Sequence, residues 1–207
     1  MNEFKDMTGV HIEGHIHIHD PVEKITYVNK RNAIHYENMS IALVNALANS
    51  GKGIVYKMAF GNGGTSVDPT GIITYLTPNT SGLNANLYNK STFDKVVDPN
   101  SSRNVDPTRN FTEVRHVTGH NYSDLFVTCL LDYGEPNGQS AFDNATGTAD
   151  AFVFDELGLV SFDPSNSSGD GLLLTHVIFH PVLKSLNRLI QIDYTVRIQS
   201  LTGLVSV

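Results

Sequence analysis

The sequence predicts a mainly β protein: a β-sandwich or jelly-roll-like domain with one flanking amphipathic helix and a long loop excursion. Three observations lead there. Glycine and proline, 17 and 8 of the 207 residues, punctuate many short apolar runs, the spacing of strands and turns. Ile190, Ile192, Tyr194, Val196 and Ile198 alternate with Gln191, Asp193, Thr195, Arg197 and Gln199, the period-two pattern of a long half-buried strand. One segment stands out with helical periodicity: Met39, Ala42, Leu43, Ala46 and Leu47 form a single stripe at i, i+3, i+4, i+7 and i+8.

Taken in order, Val10 to Val28 reads as a hairpin. Its first arm is Val10–His19, its turn Asp20-Pro21-Val22-Glu23, and its return Lys24–Val28. Pro21 presets φ at the second turn position, and the Asp20 carboxylate suits the backbone amides that follow it. The helix comes next, with Gly51 as its left-handed exit. From Gly61 to Asn110 the chain is rich in turn chemistry, including Gly61-Asn62-Gly63-Gly64 and Pro78-Asn79-Thr80-Ser81-Gly82. Pro99 and Pro107 continue it, and between these turns lie two short strand candidates, Ile72–Leu76 and Phe93–Val97. So long an irregular stretch is unusual within a compact domain. It is read as a surface excursion, residues 61–110, that docks on a neighbouring subunit through Gly61, Asn62, Gly63, Gly64, Pro78, Asn79, Pro99 and Pro107.

Strands return in the second half. Leu125–Leu131 is nearly unbroken apolar sequence, which suits a strand covered on both faces. Phe152–Phe154 and Leu157–Val160 flank Asp155-Glu156, and Leu172–Phe179 is a further core strand. Glu156-Leu157-Gly158-Leu159 reads as a bend after a strand, with Gly158 permitting it. Without a repeat or a linker, residues 1–207 read as one β-rich domain.

Composition excludes several classes. Apolar residues are 40% and charged residues 17%, a globular balance with much neutral surface. The net charge of -7 argues against a main task of gripping phosphate backbones. No run of 18 apolar residues is present, so no membrane-spanning helix is expected. The opening residues lack a cationic, apolar leader, so synthesis in the cytoplasm without a signal peptide is expected. A single cysteine excludes an internal disulfide. Eight tyrosines, ten phenylalanines and no tryptophan leave few stacking platforms for carbohydrate.

The sharpest local chemistry is His15, His17 and His19. In a strand they share one face, with Ile16 and Ile18 on the other, and neutral imidazoles suit zinc, copper, nickel or iron. The row reads as a solvent-facing stripe, as an intramolecular metal site, or as a site shared between chains. Cys129, within an apolar run, reads as an inert core thiol. His116 and His120 straddle Gly119 near a hairpin turn, and His176 and His180 share a strand face. Asp143, Asp155 and Glu156 read as surface or turn residues. Lys184, Arg188 and Arg197 read either as a solvated face or as partners for acids of a neighbouring subunit. Gly61-Asn62-Gly63-Gly64 lacks the lysine and hydroxyl residue of a phosphate loop. With no nucleophile elbow or zincin motif, the chain reads as a non-enzyme.

Two resemblances add to this reading. Gly9, followed after five residues by His15-Ile16-His17, is similar to the first half of the metal motif of cupins, with a glutamate arriving late at Glu23. That implies a metal-dependent enzyme using His15 and His17 as the lesser alternative. Met58-Ala59-Phe60-Gly61-Asn62-Gly63-Gly64, Val153–Leu159 and Leu172–Phe179 together resemble structural proteins of tailed-bacteriophage virions. Asn32–Asn38 and Leu186–Gln191 resemble them too, so that the likeness spans about residues 8–203. It implies a non-enzymatic virion component at the tail or neck (collar, baseplate or fibre attachment), with capsid decoration as the nearest rival. Its partners would be copies of itself and other virion proteins, with no nucleic acid or membrane contacted directly.

Overall fold

In the computed structural model, which describes residues 4–89, 93–136 and 152–206, the chain is mainly β with one α-helix. The elements are β1 (Phe4–His19), β2 (Thr26–Ile34), α1 (Tyr36–Leu47), β3 (Val55–Gly61), β4 (Thr65–Val67) and β5 (Ile73–Tyr75). They continue as β6 (Phe93–Val96), β7 (Phe111–His116), β8 (Tyr122–Leu131), β9 (Phe152–Phe162), β10 (Asp170–Leu173), β11 (Thr175–Lys184) and β12 (Ile190–Ser206). Ten strands form one antiparallel sheet in the order β6-β3-β9-β11-β2-β1-β12-β8-β7, with β10 beside β9, and β4 and β5 form a separate hairpin. The sheet curls into a sandwich-like fold: Lys95 of β6 donates to the Leu130 carbonyl of β8 at 2.6 Å, although the two strands stand near opposite ends of that order.

The expected alternation in β12 is what the fold is built on. Ile190, Ile192, Tyr194 and Val196 are buried, and the polar residues between them are not. Ile16 and Ile18 of β1 join them in one cluster with residues of β2, β3, β8, β9, β11 and α1. Burying one such side chain contributes roughly 1.5–3 kcal/mol relative to leaving it exposed. β1 pairs β12 over its whole length, Phe4↔Ser206 to His19↔Gln191. β2 reaches only Gly14–His19 of β1, and β8 reaches only Ile190–Gln199 of β12. The outer halves of β1 and β12 therefore continue past the sheet as a two-stranded ribbon.

The turn between β1 and β2 follows the expected chemistry, with Asp20 Oδ1 accepting from the amides of Val22 at 2.8 Å and Glu23 at 2.9 Å. The helix starts where His35 Nδ1 accepts from the Asn38 amide at 3.2 Å. Only the first part of its stripe is covered. Met39 and Ala42 are buried and Leu43 packs on the core, whereas Ala46 and Leu47 lie in solvent. Asn49, with φ 49°, takes the left-handed position before Gly51 does. β8 is covered on both faces only near its end, from Cys129 to Leu131; Phe126 faces outward, with the Arg115 guanidinium 4.0 Å over its ring.

The excursion forms a second layer. Its Leu87 packs with Ala59, Val160 and Leu173 on the face of β3, β9 and β10 away from the main cluster. β3 and β9 are thus buried on both sides, which is why their sequences run apolar without alternation. Two expectations change here. Asp155 and Glu156 are not surface residues but sit inside one continuous strand, β9, 4% and 0% exposed. Gly158 marks no bend, since it lies mid-strand, where a Cβ would stand 2.4 Å from the Thr175 carbonyl oxygen. Asp143 lies outside the described residues.

Candidate functional site

Two polar constellations stand out, one buried and one open. The buried one joins the excursion to the sheet. Glu156 Oε1 accepts from the amides of Gly63 at 3.0 Å and Asn89 at 2.9 Å, and Oε2 from Tyr88 at 2.9 Å. His176 Nε2 donates to Oε2 at 2.9 Å with both side chains fully buried. The other ring nitrogen of His176 accepts from the Asn79 amide at 2.8 Å. Beside it, Asp155 accepts from the amides of Gly64 and Thr65, each at 2.9 Å, and from the Thr65 hydroxyl. Farther along, His35 Nε2 bonds the Gly82 carbonyl at 3.0 Å, and the Tyr75 hydroxyl meets His180 Nδ1 at 3.2 Å.

Burial pushes the Glu156 carboxyl up, but the hydrogen bonds from His176, Asn89, Tyr88 and Gly63 outweigh it and hold its pKa below the ordinary value. The glycines are there because the chain passes so close: a Cβ on Gly63 would stand 2.6 Å from the Asn89 nitrogen. The backbone that approaches the Gly61–Gly64 turn is thus the chain's own. Gly61 and Gly64 are buried, and Gly63, Pro78, Asn79 and Pro99 half-buried. Asn62 and Pro107 are exposed. Of the eight residues expected at a subunit contact, Gly61 and Gly64 pack within the chain, Gly61 against Glu156 and Asn89 and Gly64 against Ile178 and Glu156.

The open constellation lies on the histidine row. His17 and His19 face outward from β1, opposite Ile16 and Ile18, with their rings stacked at 4.4 Å. The third group is Asp193, not His15. Asp193 is the cross-strand partner of His17, and His19 Nε2 donates to its Oδ2 at 2.9 Å. Ligand atoms of His17, His19 and Asp193 all lie within 4.8 Å of one another. Gln191 Nε2 donates to both Asp193 oxygens, at 2.9 and 3.1 Å, and Thr128 Oγ1 donates to Oδ1 at 3.2 Å. Burial and the neighbouring His19 lower the pKa of His17, Asp193 raises it, and His15 lowers it further. His15 lies opposite Thr195 and lines an adjoining cleft with Glu13, Arg31, Asp124 and Arg197. The two carboxylates there are already paired with the guanidiniums, Glu13 with Arg31 and Asp124 with Arg197. Glu23, the late glutamate of the cupin-like stretch, is exposed in the turn before β2.

The other candidates fall into place as follows. Cys129 is buried, and burial pushes its thiol up to about 12, so it is no nucleophile. Lys184 is buried too, with its ammonium donating to the Ser185 carbonyl at 2.7 Å. Arg197 finds its acid within the chain, forming a two-pronged pair with Asp124 at 2.7 and 2.8 Å. His116 lies beside the β7–β8 turn, accompanied by Tyr122 and Ser123. Between α1 and the sheet is a cavity of about 300 Å³ lined mostly by apolar side chains, in which Asp98 is the only ionisable group. Comparison of the chain with family models, curated proteins and solved structures finds no match.

Proposed function

We propose that the chain is a structural subunit that assembles in several copies, in the setting its segments resemble: a tailed-phage virion, at the tail or neck. The observation that carries the assembly reading is the β4–β5 hairpin. It has three residues per strand and carries Val67, Ile72 and Tyr75 in solvent, with Leu76 and Leu83 exposed just beyond it. An isolated two-stranded hairpin is marginal in water, and apolar side chains grouped on one suit a contact with another molecule. The buried carboxylates behind it hold that surface in one position. A preformed surface loses little ordering entropy on association, and repetition over many copies gives avidity from modest contacts.

The position within a virion rests on the sequence likeness alone; capsid decoration is the alternative position. Sedimentation equilibrium tests assembly. The full chain is expected to show concentration-dependent mass, and Val67→Asp with Ile72→Asp is expected to leave a folded monomer. A wild-type chain that stays monomeric at every concentration contradicts the reading. Density-gradient purification of particles from cells carrying the coding sequence tests the virion setting. The chain should band with the particles in stoichiometric amount; its absence from them overturns that part.

A further inference from the structure

We propose that His17, His19 and Asp193 form a binding site for one divalent transition-metal ion of the zinc class. The two imidazoles and the carboxylate meet because the fold fixes three things. Ile16 and Ile18, both fully buried, force the alternate histidines of β1 outward. The antiparallel register sets Asp193 of β12 directly across from His17. Gln191 and Thr128 hold the Asp193 carboxylate from behind, the orienting role that outer-shell partners have at metal centres.

The distances suit the assignment. Ligand atoms at about 2.0–2.2 Å from one tetrahedral ion stand roughly 3.3 Å apart. His19 Nε2 and Asp193 Oδ2 are already 2.9 Å apart. The remaining spacings, at most 4.8 Å, close by a turn of the half-buried His17 ring, whose Nε2 now bonds Thr26 Oγ1 at 3.0 Å. Two imidazoles with one carboxylate select a borderline cation over calcium or magnesium, which take oxygen ligands. Three ligands leave at least one position for water or for a group from another molecule.

The experiment uses the full chain without an affinity tag, stripped with chelator and then titrated with Zn²⁺ by calorimetry and with Co²⁺ by absorption. One equivalent is expected to bind, with a cobalt spectrum showing nitrogen and oxygen ligation. His19→Ala and Asp193→Asn should each weaken binding by more than tenfold, Gln191→Ala by about 10–100-fold, and His15→Ala should leave it unchanged. Should the ligand variants fail to fold, the wild-type chain decides, because Zn²⁺ must shift the imidazole NMR signals of His17 and His19 and spare those of His116 and His120. No saturable binding, binding that His15→Ala abolishes, or shifts spread evenly over all histidines would overturn the proposal.

Discussion

Along β12 from Ile190 to Val196, every second side chain lies in the core. Between Gly61 and Asn89, Leu87 is the one buried apolar side chain among the described residues. Both regions are nonetheless ordered. β12 is held by apolar area removed from water, spread over many residues and pairing with strands on both sides. The excursion is held at a few points, where Asp155, Glu156 and His176 collect amides from Gly63, Gly64, Thr65, Asn79, Tyr88 and Asn89. The contrast teaches that a segment with almost no core of its own can be fixed by buried acceptors on its neighbour. It also implies that the two regions fail differently: one cooperatively and globally, the other at single points and locally.

The sharpest way to separate them is Glu156→Ala. It leaves three amides and His176 without their acceptor, and each buried donor left without its partner costs about 1–3 kcal/mol. Urea unfolding would register that loss, with the excursion loosening first. Ile192→Ala probes the other mechanism and is expected to remove about 2–5 kcal/mol. Its effect should spread across the whole sheet in one cooperative transition. Gly63→Ala, which puts a Cβ 2.6 Å from the Asn89 nitrogen, should lower stability by about 1–3 kcal/mol, and local proteolysis near residues 61–89 should increase.

Acid gives a milder version of the first test. The folded-state pKa of Glu156 lies below its unfolded value. Its contribution is therefore complete above the unfolded value near 4.5 and is lost as the pH falls through the lower folded value. Proteolysis of the excursion should rise in that window before the β1–β12 pair opens. The smallest effect belongs to His15→Ala on the solvent face of β1, within about 0.5 kcal/mol in metal-free buffer.

The same contrast explains what the sequence made legible. Where burial alternates, as in β12 and around Ile16 and Ile18, strand, face and core could be read directly, because period two is a local property. The Asp20 turn was legible for the same reason. Asp155 and Glu156 were not, because acidic residues are rarely buried unless paired, and their partners are amides 67–93 residues away in sequence. β9 read as two short apolar pieces, Phe152–Phe154 and Leu157–Val160, flanking Asp155-Glu156, and nothing local shows that an excursion covers its outer face. Of the histidine site, His17 and His19 were legible from spacing. Asp193 was not, since it reaches them only through the pairing of strands 174 residues apart. His15 shares the strand face but lines a separate cleft among the ion pairs Arg31–Glu13 and Arg197–Asp124, an environment set by β2, β8 and β12.

Residue-resolved hydrogen exchange on the full chain, diluted until it is monomeric, tests the central claim most directly. If the sheet's own carboxylates order the excursion, the amides of Gly63, Gly64, Thr65, Asn79, Tyr88 and Asn89 will be protected in the lone chain. Glu156→Ala will release those of Gly63, Tyr88 and Asn89 while β1 and β12 stay protected. Free exchange at all six amides in the wild-type monomer, with protection gained only on self-association, would contradict the account.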